Sequence, residues 1–355
     1  HMLTSIRTIY SNWFNFAAIK EDETVVTWGK TFWLNQWIGY TTIKVMTRPF
    51  PPKGVQPQLT SVKAIYSTKF AFAAKKADDS AVTWGHKYGG GDSSKVDLTS
   101  VDTIFGTDRA FAAKKKDKTV VTWGHSDYGG NSTEVQPQLT FVATIYSTAY
   151  AFAAKRENGS VVVWGGMQNK KLHNCCHFGG RLPFSVKSKL TSEVETIYSN
   201  QRAFAAIKKD GSVVTWGLEE YGGNSESVQS ELKSVDVIYS NDAAFAAKTK
   251  HGSVVTWGMQ KWNYGADSGD VQSKLTSVVT IAGTRGAFAA QKGDGTVVTW
   301  GDPEIGGDSS GVQSELKSVD VIYRSERAFA AKRKDGTVVF WGSDDSYNDI
   351  SGVLT

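Results

Sequence analysis

The sequence has 355 residues, of which 40% are hydrophobic and 12% aromatic, so the chain can bury a sizeable core. Its formal net charge of +5 is too small to indicate a nucleic-acid-binding protein by composition alone. No apolar run approaches the ~18 residues of a membrane-spanning helix, which excludes that class of membrane protein. His1 and Met2 are typical of a cloning scar, and we expect the fold to begin at Leu3.

One unit of sequence recurs eight times along the chain. It begins V-x-x-I-Y-S, continues A-F-A-A-x-K and closes S-V-V-T-W-G, as in residues 194–217. The closing tryptophans are Trp28, Trp84, Trp123, Trp164, Trp216, Trp257, Trp300 and Trp341. Most spacings lie close to the 41 residues between Trp216 and Trp257. Such a period indicates a propeller or solenoid, in which no unit buries its apolar face alone.

Each unit is predicted to form three short strands, because its three segments are rich in β-branched and aromatic residues. A pair such as Asp210-Gly211 separates the second strand from the third and predicts a two-residue hairpin. The second strand is rich in alanine, which suits blades that stack face to face. We therefore predict an all-β fold, a β-propeller of eight three-stranded blades closed into one domain over residues 3–355.

The repeat resembles that of the regulator of chromosome condensation family. In that family a strand of small residues is followed by D-G-x-V-x-x-W-G, and residues 209–217 here read K-D-G-S-V-V-T-W-G. The eight units cover nearly the whole chain and are similar to the compact three-stranded version found in a bacterial β-lactamase inhibitor. The resemblance implies a propeller, with seven blades as the alternative because seven is usual in the family. It also implies guanine-nucleotide exchange on a small GTPase as an alternative function.

The two residues before each A-F differ most among the eight units. They lie in the hairpin between the first and second strands, and aromatic residues and arginine, which dominate binding hot spots, are frequent there. We predict that these hairpin tips contact a partner; the alternative is that exposed tips vary without function. The predicted contact residues are Trp13, Phe14, Lys69, Phe70, Asp108, Arg109, Tyr150, Gln201, Arg202, Arg285, Glu326 and Arg327.

Two connectors between units are much longer than the others, and neither contains an acidic residue. They are the insertions at residues 30–54 and 166–185, against ten residues in a connector such as 218–227. The alternating direction of the strands predicts that both insertions leave their blades on the same face as the tips. Six more contact residues are predicted there: Trp33, Trp37, Tyr40, Lys170, Lys171 and Arg181. Basic residues among aromatics also suit nucleic acid or chromatin, whereas the alternative is two solvated loops.

No arrangement typical of catalysis or metal binding stands out from the repeats. The two cysteines, Cys175 and Cys176, are adjacent and lack the paired spacing of structural zinc sites. Neighbouring cysteines cannot crosslink distant elements, which favours a reducing compartment, the cytoplasm or the nucleus. His86 and His125, which directly follow Trp-Gly in their units, are interpreted as structural.

From these observations we predict a non-catalytic interaction propeller that acts as a monomer. It requires no cofactor or metal, and it binds a macromolecular partner, in the first instance a protein, through one face. Guanine-nucleotide exchange on a small GTPase and binding to nucleic acid or chromatin are the alternatives.

Overall fold

A computed structural model of the protein describes residues 4–29, 32–38, 41–47, 51, 53–166 and 179–343. The chain divides into two compact units, residues 1–181 (unit 1) and residues 182–355 (unit 2). No helix in the described part of the chain is long and apolar enough to cross a membrane.

Unit 1 contains four three-stranded antiparallel sheets, blades 1 to 4, and one additional two-stranded hairpin. Its strands are β1 Ile6–Ser11, β2 Asn15–Lys20, β3 Val25–Gly29, β4 Phe32–Ile38, β5 Thr41–Thr47, β6 Val62–Ser67, β7 Ala71–Lys76, β8 Ala81–Gly85, β9 Val101–Gly106, β10 Ala110–Lys115, β11 Val120–Gly124, β12 Val142–Ser147, β13 Ala151–Arg156 and β14 Val161–Gly165. Strands β4 and β5 form the hairpin, and the others form the blades in chain order.

Unit 2 contains four further three-stranded antiparallel sheets, blades 5 to 8, and a one-turn helix. Its elements are α1 Phe184–Lys187, β15 Val194–Ser199, β16 Ala203–Lys208, β17 Val213–Gly217, β18 Val235–Ser240, β19 Ala244–Thr249, β20 Val254–Gly258, β21 Val278–Gly283, β22 Ala287–Lys292, β23 Val297–Gly301, β24 Val319–Arg324, β25 Ala328–Arg333 and β26 Val338–Gly342. The predicted fold class, all-β with eight three-stranded propeller blades, is confirmed, and the seven-blade alternative is wrong.

The connectors of both units contain short 3₁₀ helices. They are Gln56–Gln58, Lys87–Gly89, Ser126–Tyr128, Gln136–Gln138, Ser188–Leu190, Glu219–Tyr221, Glu226–Val228, Gly269–Lys274, Pro303–Ile305 and Ser310–Val312.

The hydrophobic core lies between consecutive blades. In unit 2, Ala203 and Ala205 of blade 5 pack in one cluster with Phe245 and Trp257 of blade 6. The ring centroids of Phe245 and Trp257 are 5.2 Å apart in a stacked arrangement. A Cβ atom added to Gly222, in the connector between these blades, would lie 2.8 Å from the Phe245 ring. Within each unit, small residues in the central strand and connector therefore bring each blade close to the aromatic pair of the next.

The turn between the second and third strands differs from the predicted two-residue hairpin. In blade 5 the Gly211 N–H donates to the Lys208 carbonyl at 2.8 Å, and the Lys208 N–H donates to the Ser212 carbonyl at 2.9 Å. Gly211 adopts a positive φ of 76°, whereas Asp210 is not among the residues with positive φ. The loop therefore has one residue more than the predicted two, and the additional residue is the left-handed Gly211. A left-handed glycine at this position is common in three-residue hairpin loops.

Blade 1 exposes a face that is buried in the other blades. Phe16 is 43% exposed, whereas its seven counterparts are at most 2% exposed. The closure of all eight blades into one ring and one domain stays a prediction.

Candidate functional site

The tips and the connectors meet at the same end of every blade. In blade 2, Gly85 at the end of β8 pairs with Ala71, the residue after the tip, and the His86 N–H donates to the Phe70 carbonyl at 2.9 Å. Blade 4 repeats this bond, because the Gly166 N–H donates to the Tyr150 carbonyl at 2.9 Å. In blade 1, Gly29 at the end of β3 pairs with Asn15, the residue after the tip. Both insertions therefore begin at the tip end of their blades, as the strand directions predict.

Backbone hydrogen bonds join the tips of neighbouring blades into a row within each unit. In unit 1 the Lys69 N–H donates to the Asp108 carbonyl at 3.0 Å, and the Asp108 N–H donates to the Ala149 carbonyl at 3.0 Å. In unit 2 the same pattern runs from Gln201 to Asp242 (3.3 Å), from Asp242 to Arg285 (3.2 Å) and from Arg285 to Glu326 (2.8 Å). The variable residues of blades 2 to 4, and those of blades 5 to 8, are thus held on a row of backbone hydrogen bonds, although they vary in type.

In blades 2, 3, 5, 6 and 7 a buried side chain also bonds the tip to the connector of its own blade. In blade 2 the Thr68 hydroxyl donates to the Gly89 carbonyl at 2.8 Å and accepts from the Ala71 N–H at 3.0 Å. In blade 5 an asparagine makes the equivalent bond, since Asn200 Nδ2 donates to the Tyr221 carbonyl at 2.7 Å. Short polar side chains with this geometry stabilise tight turns, so the tips and connectors form one ordered surface.

In unit 1 the tips and one connector form an aromatic ridge, which we define as Trp13, Phe14, Phe70, Tyr128 and Tyr150. The rings of Phe14 and Phe70 are stacked at 5.9 Å, and Trp13 meets Phe70 edge-on at 6.3 Å. Tyr128 stacks on Tyr150 at 5.0 Å. Trp13 is 64% exposed although it is the largest side chain of the group.

Two cations lie within the aromatic ridge. Lys69 Nζ lies 3.9 Å from the Trp13 ring centroid and 2.6 Å from Asp108 Oδ2. The guanidinium carbon of Arg109 lies 5.1 Å from the Phe70 ring and 5.2 Å from the Tyr128 ring. Arg109 therefore links the two parts of the ridge, and such cation–π contacts hold the guanidinium plane in place.

Tyr128 belongs to a connector and is not among the predicted contact residues. Gly-rich segments are typical of turns, and Gly129 is left-handed with φ of 93°. The signal that could have found it is the tyrosine directly before the glycines, which recurs as Tyr221 and Tyr264. In blade 5 Tyr221 makes the equivalent cation–π contact with the tip arginine, because the Arg202 guanidinium carbon lies 4.8 Å from its ring.

Two histidines of the connectors border the aromatic ridge. His86 is 9% exposed, its ring centroid lies 6.4 Å from that of Phe70, and its buried Nε2 has no hydrogen-bond partner among the described residues. Burial lowers the pKa of His86, and the nearby charges of Arg109 and Lys87 lower it further. Burial also lowers the pKa of His125, whose Nδ1 accepts from the Asp127 N–H at 3.2 Å.

The tip row of unit 2 carries alternating charges and fewer aromatic residues. Arg285 lies between Asp242 (3.4 Å) and Glu326 (3.9 Å). Arg327 is exposed. Trp262, in the connector after blade 6, is exposed with Lys261 Nζ 5.6 Å from its ring. The structure thus separates an aromatic row in unit 1 from a charged row in unit 2.

Where the structure describes it, the first insertion is a β-hairpin rather than a loop. Trp33 and Trp37 lie in β4, where they pair with Met46 and Thr42 of β5. Arg181 is exposed at the end of the second insertion. Tyr40, Lys170 and Lys171 lie outside the described residues, as do Cys175 and Cys176. Over the ranges that the structure describes, no three His, Cys, Asp or Glu side chains are grouped as metal ligands.

No protein-family model and no curated protein matches the sequence. The chain is similar, at low sequence identity, to several solved structures. The computationally designed protein Ika8 is 14% identical with a TM-score of 0.37, over 95% of this chain and 96% of that one. Prp20p from Saccharomyces cerevisiae, reported with its binding properties to Gsp1p and histones, is 14% identical over 74% and 73%, with a TM-score of 0.40. BamB from Moraxella catarrhalis is 9% identical over 96% and 95%, with a TM-score of 0.36.

Proposed function

We propose that the protein is a non-catalytic interaction propeller that binds a protein partner through the tip ends of its blades. The aromatic ridge of unit 1 is the observation that carries this proposal. It brings together residues from blades 1 to 4 that are far apart in the sequence, and the most exposed of them is a tryptophan.

The residue types of the ridge, and the contacts that hold its side chains in place, fit a protein interface. Tryptophan, tyrosine and arginine supply most of the binding energy at such interfaces, where they form a cluster surrounded by more polar contacts. Trp13 is held by Phe14, Phe70 and Lys69 while it stays largely exposed. A rigid exposed aromatic side chain loses little conformational entropy on binding, which favours affinity.

The small net charge of the ridge favours a protein partner over a nucleic-acid partner. Lys69 and Arg109 each carry one positive charge and Asp108, which is paired with Lys69, carries one negative charge, so the tip charges at the ridge sum to +1. Lys87 and Asp127, which act on the bordering histidines, cancel each other. Nucleic-acid backbones are bound by several cations at once, because each phosphate contact releases counterions. The basic residues of the insertions remain the basis for the nucleic-acid alternative, and exchange on a small GTPase remains a prediction from the resemblance.

A capture experiment tests the proposal. The full chain, Trp13→Ala and Phe141→Ser are immobilised and exposed to a nuclease-treated native lysate. Phe141 is the matched control: it is 63% exposed, close to the 64% of Trp13, but it precedes β12 at the opposite end of blade 4. We expect a protein that is retained by the wild type and by Phe141→Ser, and lost by Trp13→Ala. Capture that depends on Phe141 and not on Trp13 would place the binding surface at the other end of the blades.

A further inference from the structure

Arg109 differs from the other cations of the tip rows whose ion pairs are described. Lys69 contacts Asp108, and Arg285 contacts Asp242 and Glu326. Arg109 instead lies against the rings of Phe70 and Tyr128, and no described residue places a carboxylate or a hydrogen-bond acceptor on its guanidinium. A guanidinium carries five N–H donors in a rigid planar fork, so this one is fixed in position with its donors unused by the protein.

The charges around Arg109 favour the binding of one negatively charged group. The nearest tip carboxylate, Asp108, is already paired with Lys69 at 2.6 Å. Burial lowers the pKa of both neighbouring histidines and the Arg109 charge lowers each further, while Asp127 opposes the shift at His125. Both histidines are therefore neutral at about pH 7, and Arg109 remains the charged donor group beside them.

We propose that Arg109 is the docking point for an exposed Asp or Glu side chain of the protein partner, with the adjoining apolar residue of that partner packed on Trp13 and Phe70. The inference rests on the proposed function and names the chemistry of the partner segment. A carboxylate matches the planar fork through two parallel hydrogen bonds, and Arg is the residue best suited to that geometry. The local net charge of +1 is balanced by a monoanion, whereas a phosphate polymer calls for more cations.

Selection from a random linear peptide library, with the full chain as bait, tests this assignment. We expect the enriched peptides to share an Asp or Glu at a fixed distance from an aromatic or aliphatic residue. Replacing that acid by its amide, or Arg109→Gln in the bait, should weaken binding by about 10- to 100-fold, as expected for hydrogen bonds between charged groups. Arg109→Lys keeps the charge but loses the fork and should bind with intermediate affinity.

Arg327→Gln is the matched control, because Arg327 occupies the same repeat position in blade 8 and is exposed; it should bind like the wild type. Melting temperatures of all variants establish that they are folded. Enriched peptides without an acid that still depend on Trp13 would overturn the carboxylate assignment and leave the proposed function standing. Displacement of the peptides by Arg109-dependent binding of single-stranded DNA would overturn it in favour of phosphate. A library that yields no binders would count against both proposals.

Discussion

Lys69 and Asp108 join the tips of blades 2 and 3 twice, through a backbone hydrogen bond of 3.0 Å and through a side-chain ion pair of 2.6 Å. The two side chains are only 29% and 20% exposed. The ion pair also holds Lys69 above Trp13, at 3.9 Å from its ring. This relationship connects the charge pattern of the tip row to the orientation of its most exposed aromatic residue.

The first prediction concerns this ion pair. A double-mutant cycle of Lys69→Met and Asp108→Asn should give a coupling of about 0.5–1 kcal/mol in the free energy of unfolding, at the upper end for partly exposed pairs. The coupling should decrease in high salt because of screening. Lys118 and Glu157, a more exposed pair at the opposite blade end, serve as control and should couple less. If urea unfolding shows that the stability losses of Lys69→Met and Asp108→Asn simply add, the ion pair does not stabilise the fold.

The second prediction tests the packing of consecutive blades. Gly211 and Gly336 both have positive φ, 76° and 89°, so alanine strains both turns equally. An added Cβ at Gly211 would lie 2.9 Å from Ser234 Cα of the next blade, whereas at Gly336 it would meet none of the described residues within 4 Å. Gly211→Ala should therefore lower the free energy of unfolding by about 1–3 kcal/mol more than Gly336→Ala, the range of overpacking costs. Equal losses in denaturant unfolding would mean that the blades are not in contact at this turn.

The third prediction separates the hydrogen bond of the repeat tryptophan from its packing. Trp123 is buried, and its indole N–H donates to the Gly90 carbonyl of the preceding connector at 3.0 Å. Trp84 is equally buried, but its indole N–H has no acceptor within the described part of the chain. Trp123→Phe should cost about 0.5–1.5 kcal/mol more stability than Trp84→Phe, the net value of a hydrogen bond. If thermal unfolding shows the same loss for both, the indole bond contributes nothing measurable.

The fourth prediction is a pH dependence of stability at His86. Burial and the charges of Arg109 and Lys87 lower the pKa of His86 in the folded state, so the unfolded chain binds more protons. The stability from neutral His86 is fully present above the unfolded pKa of about 6.5 and is lost as pH falls through the folded pKa. Leucine is the natural replacement, because Leu218 occupies the same position of blade 5. As the pH falls from about 8 to about 5, the free energy of unfolding of His86→Leu should therefore rise relative to that of the wild type. A difference in unfolding free energy that does not change with pH would rule out this role of His86.

Much of the blade could be predicted because each unit repeats the same local pattern. The strand that begins at Ala203 and the one that ends at Gly217 follow the predicted segments closely. The pairing of β4 with β5 could not be found from the repeat, because the first insertion lies outside the repeated pattern and stands out mainly by its charge. Its β-branched and aromatic residues are nevertheless typical of strands.

The composition of the candidate site was harder to predict than its position. The tips could be found because they vary while the strands do not. The contacts of Arg109 with Phe70 and Tyr128 depend on how a connector of one blade folds over its own tip and beside the preceding blade. Spacing along the chain carries no information on that arrangement, so the sequence alone favours a structural or turn role for Tyr128 and the histidines.

The most direct test of the account is the affinity of the captured protein partner for Trp13→Ala, measured by calorimetry against wild type and Phe141→Ser. Trp13 and Phe141 are equally exposed and lie at opposite blade ends, so the comparison separates position from hydrophobicity. We predict a loss of about 2 kcal/mol or more for Trp13→Ala, as for a hot-spot residue, and less than about 0.5 kcal/mol for Phe141→Ser. Melting temperatures should show that both variants are folded. A partner that binds Trp13→Ala as tightly as the wild type, and loses affinity for Phe141→Ser, would contradict the account.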